Sequence, residues 1–195
     1  MLQSCPSEHN MSHRVCPWWI GYLLISPLRR FAHNPKEILA PYLREGQTVL
    51  EPGPGMGFFT LELARRVGAS GHVIAIDIQQ KMLDRLKTRA AKVGLLDRID
   101  ARLASPDSLG IKDLAGRVDF TLAFAVVHEF PDAAHFFREI AAASKPGALV
   151  LLAEPAGHVS DSDFRTEVQF ASQAGFEVVG RPKIRRSLTA VLKKA

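Results

Sequence analysis

The segment between residues 51 and 57 contains residue types suited to binding a nucleotide-like cofactor. Its glycines alternate with other residues at Gly53, Gly55 and Gly57, shortly after the acidic Glu51. Glycine tolerates positive φ and lets main-chain amides approach a ligand closely. Asp77 ends an apolar run further along the chain, and an acid about twenty residues past such glycines can accept hydrogen bonds from both hydroxyls of a ribose.

The spacing of these glycines weighs against a dinucleotide. A dinucleotide site uses Gly-x-Gly-x-x-Gly, whereas Phe58 stands where the third glycine would be. Oxidoreduction with a nicotinamide cofactor is therefore a distant alternative. Because glycines also form ordinary turns, the interpretation depends on a strand before the segment and a helix after it.

Alternating strand and helix patterns after residue 46 supply that context. Such alternation predicts a parallel sheet with helices on both faces. The predicted strands are Thr48–Glu51, His72–Asp77, Ile99–Leu103, Val118–Ala125, Ala148–Glu154, Phe176–Gly180 and Ile184–Leu192. The last two should pair antiparallel, because a parallel crossover needs roughly a dozen residues or more. Asp161 or Ser162 is the predicted cap of the helix before them.

Residues 1–46 lie outside this alternation. Prolines at positions 17, 27, 35 and 41 interrupt them, so we expect a helical N-terminal segment or lid rather than an independent domain. Residues 47–195 are then the one domain of the chain.

The net charge of +5 is unevenly distributed. Residues 1–46 carry +2, residues 47–180 carry −3 and residues 181–195 carry +6. A basic surface would indicate a polyanionic partner. Here the predicted sheet is mildly acidic up to residue 180, so the overall charge does not define a function.

The cysteine content and the apolar N-terminal run bear on compartment. Two cysteines, Cys5 and Cys16, cannot form a disulfide framework, so we expect a cytoplasmic protein. The run Trp18–Ile25 is too short to span a bilayer, which takes about 20 apolar residues. With His9 and His13 the cysteines have metal-ligand side chains at an unusual spacing, and we predict no metal site.

Taken in order, these segments resemble the class I S-adenosylmethionine-dependent methyltransferases. The segment 51–57 is similar to that family's first motif, and Asp77 matches its ribose-binding acid. The segment 128–132 is similar to the loop after the fourth strand, and Lys145-Pro146-Gly147 is similar to the turn before the fifth. The resemblance implies an α/β fold with a doubly wound, seven-stranded mixed sheet. Its strand order would be 3-2-1-4-5-7-6, with the last strand antiparallel and helices on both faces.

The resemblance also implies S-adenosylmethionine as the cofactor. In such a site Glu51 would help hold the amine, the glycine backbone would approach the carboxylate, and Ile78 and Gln79 would flank the adenosine. Many family members have an Asp after the third strand that contacts the adenine amine. Here Ser105 takes that position, two residues before Asp107, so adenine recognition departs from the family pattern.

Candidate catalytic and acceptor-binding residues lie outside the glycine segment. Methyl transfer is an in-line displacement, which needs a base only when the acceptor must lose a proton. His128 at the end of the fourth strand is the candidate base, although it could equally pack in its loop, and His158 could face the same cleft. Trp18, Trp19 and Tyr22 could bury an aromatic or lipid-like acceptor; packing against the sheet, or a dimer contact, is the alternative.

The main hypothesis is transfer of a methyl group from S-adenosylmethionine to a small or medium-sized acceptor. One alternative is an RNA or protein methyltransferase that uses the basic segment 181–195, and another is a non-catalytic cofactor-binding protein of the same fold. His128-Glu129-Phe130-Pro131 differs from the run typical of enzymes that methylate amines of nucleic-acid bases, which disfavours a nucleic-acid partner. The two cysteines are too few for arsenite methylation, which uses several thiols.

Overall fold

The computed structural model describes residues 33–195, and their strands form one mixed sheet. The strands are β1 Thr48–Pro52, β2 His72–Asp77, β3 Ile99–Leu103, β4 Val118–Phe124, β5 Ser144–Pro155, β6 Phe176–Gly180 and β7 Ser187–Lys194. Their order is β3-β2-β1-β4-β5-β7-β6. β7 is antiparallel to both β5 and β6, and the other neighbouring pairs are parallel. The predicted order and directions are confirmed.

Helices cover both faces of this sheet. They are α1 Pro35–Leu39, α2 Thr60–Val67, α3 Gln80–Lys92, α4 Ala133–Ala143 and α5 Asp161–Gln173. Successive strand residues point to opposite faces, so Val49 joins the core that contains Leu86 of α3. Leu50 joins the other core, with Phe136 of α4 and Phe164 of α5. Strands buried on both faces explain the continuous apolar runs in the sequence.

The fifth strand begins four residues before its predicted start at Ala148. It starts at Ser144, which pairs with Val118, and the register then shifts between Val118 and Phe120. The shift accommodates the extra residues as an irregularity in the ladder. The predicted turn at 145–147 therefore lies inside β5, and α4 leads directly into the strand.

Two other strand boundaries were predicted wrongly because of single residues with positive φ. Ala125 has a φ of 55°, so β4 ends at Phe124 rather than at Ala125. Arg186 has the same φ of 55°, and β7 begins after it at Ser187 rather than at Ile184. The left-handed region cannot continue an extended strand, so each of these residues marks a strand boundary.

The cap of α5 also differs from the prediction. Ser160 is the N-cap, and its hydroxyl accepts a hydrogen bond from the Asp163 amide at 3.1 Å. Asp161 and Ser162 fall in the first turn instead, where the acidic Asp161 favours the helix dipole.

The described part of the N-terminal segment packs against the sheet. Leu39 of α1 is fully buried and belongs to the core that covers the α2 face. Within residues 33–195, no helix combines the length and apolar character needed to cross a membrane.

Candidate functional site

A cavity of about 240 Å³ opens where the carboxyl ends of β1, β2 and β4 meet. Gly53 and Gly55 line it from the loop after β1, Asp77 from the end of β2, and Ala125 and Val126 from the loop after β4. The strand order changes direction between β1 and β4. Open α/β sheets bind their ligands at such a switch point.

The three glycines of the loop after β1 have different roles. A Cβ on Gly53 would lie 2.7 Å from Cγ2 of Val126, and a Cβ on Gly57 would overlap Cδ1 of Leu86. These two glycines therefore let the loop pack closely against the β4 loop and against α3. A Cβ on Gly55 would meet no atom within 4 Å. Gly55 lines the cavity, as Gly53 does, but at Gly55 it is the φ of 53° rather than a close contact that favours glycine.

Asp77 connects this loop to the turn after β2. Its two carboxylate oxygens accept hydrogen bonds from the amides of Gly55, at 3.2 Å, and Gln79, at 2.9 Å. Burial raises the pKa of Asp77, and the backbone hydrogen bonds offset part of that rise. A carboxylate has about four acceptor sites, so Asp77 can also accept hydrogen bonds from ribose hydroxyls.

The cavity walls beside Asp77 are mainly apolar. Ile78 and Gln79 line the cavity as predicted, together with Met82, Leu109 and Phe130. An apolar wall beside a carboxylate that can accept hydrogen bonds from hydroxyls is suited to a planar ring such as adenine.

Three predicted cofactor residues, Glu51, Gly57 and Ser105, do not line the cavity. Glu51 is buried in β1, with 3% of its surface exposed. Ser105 is exposed, while its neighbours Ala104 and Pro106 form part of the wall. The site thus presents apolar groups at the position where many family members have an acid.

His128 lies beside the cavity, in the loop after β4, and forms a pair with a buried acid. Its Nδ1 contacts Oε2 of Glu154, which is fully buried at the end of β5. Oε1 of Glu154 also accepts the amides of Val126, at 3.2 Å, and Val127, at 2.9 Å. Since Nδ1 is engaged, Nε2 is the nitrogen left to exchange a proton.

The pKa of His128 is raised from its ordinary value. Burial opposes the charged form, but the hydrogen bond and negative charge of Glu154, together with the charges of Glu129 and Glu167, more than offset this effect. The His158 ring packs against the His128 ring at 4.9 Å between centroids. The structure therefore brings together the two histidines suggested by the sequence.

A second buried acid, Glu167 of α5, lies near this pair and was missed by sequence reasoning. Burial and the charge of Glu154 raise its pKa to about 8, against a smaller opposite effect of His128. Glu167 follows Phe164 and precedes Val168 on the buried side of α5. An acid beside an apolar helical stripe was the available signal.

The predicted acceptor-binding residues near the N-terminus lie outside the described residues. Trp18, Trp19 and Tyr22 precede residue 33, where the description begins. Glu129, which the sequence did not mark as a site residue, lines the cavity. Across residues 33–195, no three His, Cys, Asp or Glu side chains are grouped to hold a metal ion.

The sheet order and the site at its switch point define a Rossmann-like domain that binds a nucleoside cofactor. Residues 50–152 match the family model described as a methyltransferase domain. Over 92% of this chain and 98% of the other, the fold superposes on a SAM-dependent methyltransferase from Aquifex aeolicus with a TM-score of 0.79 and 24% identity. The chain belongs to this methyltransferase domain family, the class I S-adenosylmethionine-dependent methyltransferases, and its cofactor is S-adenosylmethionine.

Curated relatives match over most of this chain but extend well beyond it. An arsenite methyltransferase of Halobacterium salinarum is 29% identical over 136 residues, which is 70% of this chain and 33% of the relative. A ubiquinone biosynthesis O-methyltransferase of Bradyrhizobium diazoefficiens is 30% identical over 140 residues, which is 72% and 51%. The chain thus spans between a third and a half of the length of these relatives.

Proposed function

We propose that this chain transfers the methyl group of S-adenosylmethionine to a small-molecule acceptor, with His128 as the base when the acceptor must lose a proton. The single observation that carries the proposal is the Asp77 carboxylate, which holds the Gly55 and Gln79 amides at the floor of the cavity. Both carboxylate oxygens are thereby fixed where ribose hydroxyls can bind. Gly53, Ile78 and Gln79 are the further cofactor residues that the cavity supports.

When bound, S-adenosylmethionine would supply an electrophilic methyl group on its sulfonium, with S-adenosylhomocysteine as the leaving group. The protein has to align the acceptor and accept its proton. Nε2 of His128 takes that proton, and Glu154 stabilises the resulting imidazolium through Nδ1. A buried carboxylate behind a histidine is an arrangement that orients the ring and strengthens it as a base.

A hydroxyl acceptor suits this arrangement better than arsenite, whose methylation depends on several thiols of the enzyme. The His128–Glu154 pair is useful only for an acceptor that loses a proton. One relative is named as an O-methyltransferase of ubiquinone biosynthesis. The other is named for arsenite, and the two cysteines of this sequence disfavour that chemistry.

Calorimetry with S-adenosylmethionine tests the proposal. The variant Asp77→Asn loses the negative charge of the carboxylate that would accept hydrogen bonds from the ribose hydroxyls. Hydrogen bonds to a charged group contribute about 1.5–3 kcal/mol of binding free energy. We expect its affinity to be roughly 10–100-fold lower than that of the wild type. Asp97→Asn, at an exposed acid, is the matched control and should bind normally. Unchanged affinity in well-folded Asp77→Asn would contradict the proposal.

A further inference from the structure

The basic residues near the C-terminus are divided between opposite edges of the sheet. β7 is antiparallel to β5, so the connection from β6 to β7 lies at the edge where the cavity opens. We call residues 181–186 the β6–β7 loop; its basic side chains are Arg181, Lys183, Arg185 and Arg186. Lys193 and Lys194 are at the far end of β7, at the opposite edge. The excess charge is therefore concentrated beside the cavity.

Contacts with His33 hold the loop close to the end of β4. Nε2 of His33 is 2.9 Å from the carbonyl oxygen of Arg185. The His33 ring packs edge-on against Phe124, with centroids 5.1 Å apart. Phe124 immediately precedes Ala125, which lines the cofactor cavity. A ligand that crosses this edge of the sheet would reach the loop and the cavity together.

The four basic side chains of the loop are exposed and form no ion pair within residues 33–195. Some other cations of the fold form ion pairs; examples are Arg66 with Glu62 and Lys145 with Asp119. The loop charges are thus available for an external anion. Arg186 also holds a φ of 55°, a conformation that costs energy in a non-glycine residue.

Shallow grooves on both sides of the loop add apolar surface. Lys183 and Ile184 belong to both grooves. One groove also contains Tyr42 and the acidic Glu37. The other contains Phe164, Leu188, Arg165, Arg181 and the acidic Asp161. Cations outnumber acids in both grooves, and the apolar groups suit a ligand that is not a bare ion.

We infer that the β6–β7 loop recognises an acidic group on the methyl acceptor. The acceptor class is a small molecule with an apolar body and a carboxylate or phosphate group. This inference rests on the proposed methyl transfer, since it assigns a class of acceptor to that site. A nucleic acid fits less well, because it presents a long run of phosphates that needs an extended basic surface. The loop cations span six residues, and the other two basic residues of the tail are at the opposite edge.

Amide chemical shifts of the ¹⁵N-labelled full chain test the inference, with benzoate, phenyl phosphate and neutral benzyl alcohol as probes. The loop variant combines Arg181→Gln, Lys183→Gln and Arg185→Gln. The matched control combines Lys87→Gln, Lys92→Gln and Lys112→Gln, which are exposed lysines elsewhere. We expect at least one anionic probe to shift amides of residues 181–189 and to bind about ten-fold more weakly to the loop variant. The control should bind like the wild type.

Comparison of the two anions shows whether a carboxylate or a phosphate is preferred. Equal binding of benzyl alcohol, or equal loss of affinity in both variants, would overturn the inference. So would a short single-stranded RNA that binds the loop in a salt-dependent way while neither small anion binds. S-adenosylmethionine affinity is measured in parallel and should be unchanged in the loop variant. Failure of the wild type to bind the cofactor would instead contradict the proposed function, because the anion titrations do not involve it.

Discussion

Asp77 and Glu154 have the same structural role at two strand ends. Each is a buried carboxylate that accepts two backbone amides from loops at the cavity edge. Asp77 of β2 fixes the glycine loop after β1, and Glu154 of β5 fixes the loop after β4. Both acids therefore position backbone, in addition to the roles in cofactor binding and proton transfer that we propose for them. Substitutions that remove only the charge, and keep the shape, separate these two roles.

The variant Glu154→Gln should lower the pKa of His128. The negative charge of Glu154 favours the imidazolium, and loss of such a partner lowers a pKa by about one unit or more. Glutamine can still accept the amides of Val126 and Val127. Titration of the imidazole by NMR measures the effect. Glu129→Gln is the control and should shift His128 less, because Glu129 acts on it only through space. Equal shifts would contradict the assignment.

The variant His128→Asn should slow methyl transfer to a hydroxyl acceptor by roughly 10²–10⁴-fold, the usual contribution of a general base. Asparagine can still reach Glu154, so the loop and the cofactor affinity should be preserved. In the wild type only neutral His128 is a base, and turnover should rise with pH through the raised pKa. Release of S-adenosylhomocysteine against pH measures both effects. A variant that keeps the same pH dependence would show that another group is the base.

Among the elements, the glycine loop depends most on its residue types. Gly53 has a φ of 68° and would place a Cβ against Val126. Gly94 has a similar φ of 67°, with no atom near the added Cβ. The two positions thus share backbone strain and differ in packing.

We expect Gly94→Ala to lower the free energy of unfolding by about 1–2 kcal/mol, from the strained backbone alone. Gly53→Ala should cost about 1–3 kcal/mol more, because the methyl group overpacks the contact between two loops. It should also weaken S-adenosylmethionine binding. Urea unfolding and calorimetry measure the two quantities. Equal losses of stability would show that the contact with Val126 relaxes freely.

The sequence predicted the elements better than their ends. Short apolar runs that alternate with helical patterns along the chain identified every strand. The signal is strong for the buried parallel strands because they are apolar on both faces. The ends of β4 and β7 depend on positive φ at Ala125 and Arg186, and neither residue type signals that conformation. The start of β5 depends on a register shift against β4, which no local pattern encodes. Boundaries set by a neighbouring strand require the assembled sheet.

The site could be predicted where one motif contains it. Asp77, Gly53 and Gly55 follow from spacing along the chain, and all three line the cavity. Glu167 is brought near Glu154 only by the packing of α5 on the sheet, and Met82 lines the cavity only because of the direction of α3. Contacts between distant segments carry no spacing signal in a single sequence.

For the molecule as a whole, Glu167 makes stability depend on pH. Its pKa is about 8 in the folded chain and 4.5 ordinarily. Above pH 4.5 the unfolded chain therefore loses this proton while the folded chain keeps it, so the contribution to stability is lost as pH rises toward 8. The net charge of the protein does not reveal this effect, because it arises from one buried group.

The variant Glu167→Gln should remove that dependence. Near pH 8 we expect it to melt at least about 2 °C above the wild type, while the two should be similar near pH 4.5. Thermal unfolding at both pH values measures the difference. Glu177→Gln, at an exposed acid on β6, should behave like the wild type at both. A Glu167→Gln melting temperature that is unchanged at pH 8 would contradict the burial of a neutral acid.

The central claim is that the cavity at the ends of β1, β2 and β4 binds S-adenosylmethionine through Asp77. A crystal structure with S-adenosylhomocysteine tests it most directly. Both ribose hydroxyl oxygens should lie within hydrogen-bond distance of the Asp77 carboxylate, at about 2.5–3.2 Å, with the adenine beside Ile78. A ligand bound elsewhere, or a ribose with no contact to Asp77, would contradict the account.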